Sequence, residues 1–128
     1  MKKLYKPEGY ASVSAYIMVD GAQRLIDFLV ATFEAKVTRR FDNPDGTIMH
    51  GEVQIDDTIV MLADGGEGYP AFPVWLHVYV PDVDATYQKA LAAGGVSVQE
   101  PEKKDDPDRR AGVKDPTGNT WWLATQVA

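Results

Sequence analysis

The chain has 128 residues, 45% of them hydrophobic and 25% charged, with a net charge of −6 and no cysteine. That is enough chain to bury a core of its own as one domain, and it excludes disulfides, thiolate nucleophiles and cysteine-ligated zinc. The acidic balance lacks the basic footprint that nucleic acid requires.

Location follows from what is missing. No stretch approaches the roughly 20 apolar residues of a membrane span. The basic start, residues 1–7, lacks the apolar run of a signal peptide. The cytoplasm is therefore the expected compartment, and neither nucleic acid nor membrane is an expected partner.

Residues 1–9 read as a loose leader ending at Gly9. Residues 12–19 alternate, with Val13, Ala15, Ile17 and Val19 on one face and Ser14, Tyr16 and Met18 on the other, which predicts a strand. Asp20 is placed to cap a helix, with Gln23 three residues on completing a capping box. Ala22, Leu25, Ile26, Leu29, Val30 and Phe33 then form one apolar stripe. A short strand over 37–41, a reversal at Asn43-Pro44-Asp45-Gly46, a strand over 47–55 and another over 58–63 follow. On the middle strand His50, Glu52 and Gln54 share one face, and Met49, Gly51, Val53 and Ile55 the other.

A Gly/Pro-rich linker over 64–73 separates this run from a second of the same order. Residues 74–80 read as a strand. Asp82 caps a helix carrying Val83, Tyr87, Ala90 and Leu91 inward, and Gly94-Gly95 ends it. Strands are expected over 96–100, 109–114 and 117–125, with a charged, mobile loop over 101–108. A constant 61-residue offset sets Trp122 against Met61, Leu123 against Leu62, Val80 against Val19 and Trp75 against Ser14. The reading is an α+β protein of two tandem β-α-β-β-β modules, about 10–64 and 73–126, forming a curved mixed sheet with a central cleft, each module contributing its own curved sheet.

Three stretches, V-D-G-A-Q-R-L-I-D-F (19–28), D-D-T-I-V-M-L-A-D (56–64) and D-P-T-G-N-T-W-W-L (115–123), complete a pattern over about residues 10–126. It resembles the vicinal oxygen chelate superfamily of glyoxalases, dioxygenases and bleomycin-resistance proteins. In metal-dependent members four His, Gln or Glu ligands lie on the inner strands. The resemblance puts Ser14, Met61, Trp75 and Trp122 at those places. A serine hydroxyl is a poor ligand by itself, a thioether suits Cu(I), and an indole offers no lone pair. The expectation is therefore no family metal and no cofactor.

Strand parity from those positions lines the cleft with Ser14, Tyr16, His50, Glu52, Met61, Trp75, His77, Tyr79 and Trp122, with Arg110 at its mouth for an anionic group. An aromatic-walled cleft with few polar groups is a small-molecule site. Core filling by the aromatic and thioether side chains, and a salt-bridged His50–Glu52 couple, are the plain structural alternatives. The resemblance implies a metal-free homodimer that sequesters an aromatic or cationic ligand, as in antibiotic resistance. Two other readings stand beside it: a lyase or oxygenase with a non-family metal held by His50, Glu52 and His77, and a metal-independent enzyme with a histidine base.

Overall fold

A computed structural model describes residues 5–128; the first four residues of the basic leader lie outside the described residues. The order is β1 (Tyr16–Val19), α1 (Ala22–Phe33), β2 (Lys36–Asp42), β3 (Ile48–Ile55) and β4 (Thr58–Asp64), then β5 (Trp75–Tyr79), α2 (Val83–Ala92), β6 (Val96–Lys103), β7 (Asp108–Lys114) and β8 (Thr120–Gln126). This is the expected doubled β-α-β-β-β order.

The strands make two four-stranded mixed sheets, β1-β4-β3-β2 and β5-β8-β7-β6, one to each module. β1 and β5 are edge strands, each pairing in parallel with the last strand of its own module. Tyr16 lies opposite Met61 and Ile17 opposite Leu62 in the first ladder. His77 lies opposite Trp122 and Val78 opposite Leu123 in the second. The 61-residue offset thus maps one ladder onto the other.

Each helix packs on its own sheet, and α1 and α2 touch each other, so one core joins the modules. Ile17, Val53, Leu62, Leu25 and Leu29 meet Trp121, Leu123, Val113 and Ala90 within it. Each buried Leu or Phe of this set contributes about 1.5–3 kcal/mol.

That shared core corrects the helix stripe. Phe28 is buried, whereas Val30, assigned to the stripe, is 43% exposed. The reason is tertiary: α1 packs on a second module as well as on its sheet, and Phe28 reaches the backbone at Gly95.

Local corrections follow the same logic. Residues 12–15 are not strand, and Val13 is 87% exposed instead of facing the core. Asp20 does not cap α1. Gly21 occupies the N-cap in the left-handed region (φ 92°), and no side chain of the helix start bonds there. Asp64, at the end of β4, accepts from the amides of Gly21 and Ala22 and, through its other oxygen, from Ile48. Gln23 binds Asp27 and Arg40 instead of completing a capping box.

The β2–β3 ladder slips between Phe41 and Asp42, which sends Ile48 into the core and leaves Met49 exposed, against the simple alternation. Asp82 does cap α2, accepting from Ala85. The charged segment expected as a mobile loop over 101–108 is largely strand, because β6 runs on to Lys103 and β7 starts at Asp108.

Candidate functional site

Each sheet has a helix-free face, and the two carry different chemistry. On sheet one, the His50 Nδ1 lies 2.7 Å from the Tyr16 hydroxyl, and its Nε2 lies 2.7 Å from Glu52 Oε2. The Tyr10 hydroxyl donates to Glu52 Oε1 and also meets Thr38. Arg39 sits over the Tyr10 ring, with its Nε 3.7 Å from Glu52. The imidazole is flanked by the rings of Tyr16 and Phe41.

Glu52 is buried, which by itself raises a carboxyl's pKa. Donation from Tyr10 and His50 and the Arg39 charge outweigh that penalty, so its pKa falls below the ordinary 4.5 and it is ionised.

On sheet two, Trp75 is 76% exposed and meets Trp122 edge to face at 5.3 Å between centroids. The Trp122 ring lies flat against Gly112, where a Cβ would stand 2.6 Å from it. Its indole N–H is shielded and has no acceptor among the described residues. Arg110 donates to His77 Nε2 at 3.2 Å, to Asp106 at 2.7 Å and to Asp108 at 2.9 Å. The Tyr79 hydroxyl donates to Asp108, which raises the Tyr79 pKa. Burial, and then the Arg110 charge, lower the His77 pKa and keep the ring neutral.

Between the two edge strands opens a cleft of about 650 Å³, lined by Ser14 and Tyr16 from one side and Trp75, His77 and Tyr79 from the other. Ser14 also borders a second hollow with Met61, beneath the segment carrying Tyr10. Of the ten residues expected at the site, five line the main cleft. His50, Glu52 and Met61 sit on sheet one, and Arg110 and Trp122 on sheet two. His77 does not join His50 and Glu52: among the described residues no group of three His, Cys, Asp or Glu side chains converges to hold a metal. Arg110, expected to await an anion, is already bound by two carboxylates.

Tyr10, Phe41, Asp106 and Asp108 were not singled out from the sequence. Asp106, Asp108 and Arg110 alternate as residues sharing one strand face do, a legible signal. Tyr10 arrives from irregular chain and left none.

The four positions that the resemblance assigns to metal ligands fall as two pairs, Ser14, just before β1, bordering a hollow with Met61 and Trp75 meeting Trp122. Two indoles, a thioether and a hydroxyl do not fit a divalent ion.

Fold and site together define a two-module α+β protein with an aromatic cleft at its sheet edges. The model of the Glyoxalase/Bleomycin resistance protein/Dioxygenase superfamily matches residues 11–123, and the chain belongs to that superfamily. An uncharacterized protein of Mycobacterium bovis is 36% identical over 91% of this chain and 84% of its own length. The crystal structure of TioX from Micromonospora superposes with a TM-score of 0.77 at 26% identity, over 91% of this chain and 99% of that one. TnmS3, an antibiotic binding protein from Streptomyces, shares the fold with a TM-score of 0.67 at 23% identity, over 91% and 97%.

Proposed function

We propose that the protein binds a planar aromatic or cationic small molecule in the cleft between β1 and β5, without the superfamily's metal, and sequesters rather than transforms it. One observation carries this reading: the flat indole of Trp75 stands 76% exposed beside Trp122, outside the packed core. Stacking on such a ring is worth about 0.5–2 kcal/mol per contact. The net charge of −6 favours a cationic partner. The likeness to TnmS3, described as an antibiotic binding protein, supports the same class.

We further propose that it acts in the cytoplasm as a homodimer. Among the described residues β1 and β5 leave sheet edges without a partner strand, and Val13, Trp75 and Tyr79 are exposed beside them. A second subunit would cover these edges and deepen the cleft. Light scattering at micromolar concentration reports the dimer, and a monomer refutes it.

The ligand reading is tested by titrating planar cationic antibiotics while following tryptophan fluorescence. Saturable quenching by at least one, lost in Trp75→Ala, is the expected result. Unchanged emission with the whole set overturns it.

A further inference from the structure

We propose that Tyr16 is the specificity-determining group of the cleft, its hydroxyl held as a hydrogen-bond acceptor so that ligands carrying an O–H or N–H donor are selected. This deepens the binding reading above, on which it rests, by naming the ligand's chemistry.

The direction of each hydrogen bond follows from the buried end of the chain of groups. Glu52 is ionised, so both its oxygens accept: one from Tyr10, the other from His50 Nε2. The His50 ring proton therefore sits on Nε2. We assign His50 the neutral imidazole, in which Nδ1 is a bare lone pair and the group 2.7 Å away that satisfies it is the Tyr16 hydroxyl. Tyr16 has one proton, and it points inward. What its oxygen offers the cleft is a lone pair.

Tyr16 is 46% exposed and lines the cleft together with Trp75 and His77. A ligand hydroxyl or N–H placed against it extends the hydrogen-bonded chain. An ether or carbonyl oxygen there would set lone pair against lone pair, and a polar group desolvated without a partner loses affinity.

The equivalent pair on sheet two runs the other way. There the edge-strand residue His77 accepts at Nε2 from Arg110, and its neutral ring carries its proton on Nδ1. One wall of the cleft thus accepts and the other donates. His50 and Glu52 are positioning residues in this arrangement: they hold the Tyr16 proton inward without touching the ligand.

The test uses 6-hydroxyquinoline and 6-methoxyquinoline, planar probes that differ in one donor, titrated by tryptophan fluorescence. The hydroxyl probe should bind the native protein about tenfold more tightly. Tyr16→Phe should remove that preference, weakening the hydroxyl probe and relieving the lone-pair conflict with the methoxy probe. Equal native affinities, or binding of neither probe, overturn the role of Tyr16, whereas the binding reading itself falls only with the antibiotic titration above. Ring-nitrogen NMR of His50 in the free protein gives an independent check. A proton on Nε2 with bare Nδ1 is expected, and a proton on Nδ1, in a neutral or a doubly protonated ring, overturns the inference without any ligand.

Discussion

Opposite Met61 on sheet one stands Glu52; opposite Trp122 on sheet two stands Gly112. The two sheets share a ladder register, yet the volume is distributed in reverse. In one, a carboxylate occupies the β3 position beside a flexible thioether. In the other, an indole lies flat across a position with no side chain, and a Cβ there would stand 2.6 Å from the ring. Two residues earlier on each strand, His50 bonds Tyr16 and Arg110 bonds His77. One backbone plan thus supports a buried polar relay in one copy and an open aromatic platform in the other. A duplicated fold constrains where side chains point and leaves their chemistry free.

Substitutions can break or sharpen this contrast. The largest effect is expected at Trp121, which is 1% exposed and donates its indole N–H to Asp115. Trp121→Ala should cost about 3–5 kcal/mol in urea unfolding, because it leaves a large cavity. A loss below 1 kcal/mol would mean that the shared core does not join the modules. Next comes Gly112→Ala, expected to cost about 1–3 kcal/mol by overpacking. It should also shift the tryptophan emission as Trp122 is displaced, whereas an unaltered spectrum would contradict the flat ring.

Asp64→Asn should cost about 1–2 kcal/mol at pH 7, since Asp64 receives amides from both the start of α1 and β3. Burial raises the Asp64 pKa, but those backbone donors outweigh it, and the net is below the ordinary 3.8. A depressed carboxyl contributes its full stability above its unfolded pKa and loses it as pH falls through the folded one. The wild type should therefore lose stability below about pH 4. The Asn variant should lose less there, so that the two unfolding curves converge in acid. A gap that stays constant down to pH 2 would refute the cap.

The smallest stability effect is expected at Trp75. Trp75→Ala should change the unfolding free energy by no more than about 0.5 kcal/mol, because the ring is exposed. A large destabilisation would show that Trp75 is core rather than platform, and would sink the reading of sheet two as a binding face.

The doubled order of elements was legible in the sequence, because the 61-residue offset and the period-two strands follow from local geometry alone. Alternation also put Tyr16, His77 and Tyr79 on one common face, and in the structure all three border the space between β1 and β5. The failures mark where distant chain decides. Asp64, remote from α1 in sequence, took the cap from Asp20. The slip beside Met49 reversed the parity of one strand end. Tyr10 reached Glu52 from irregular chain that carries no period.

By itself, then, the sequence determined the modules and their repeat. These depend only on residue type and spacing. Tertiary structure alone decided that one core joins the two modules, that Phe28 serves that core, and that Tyr16 and Tyr10 complete the His50–Glu52 couple. Hydrogen bonds and packing between residues tens of positions apart depend on where the backbone brings them, and no local pattern encodes that.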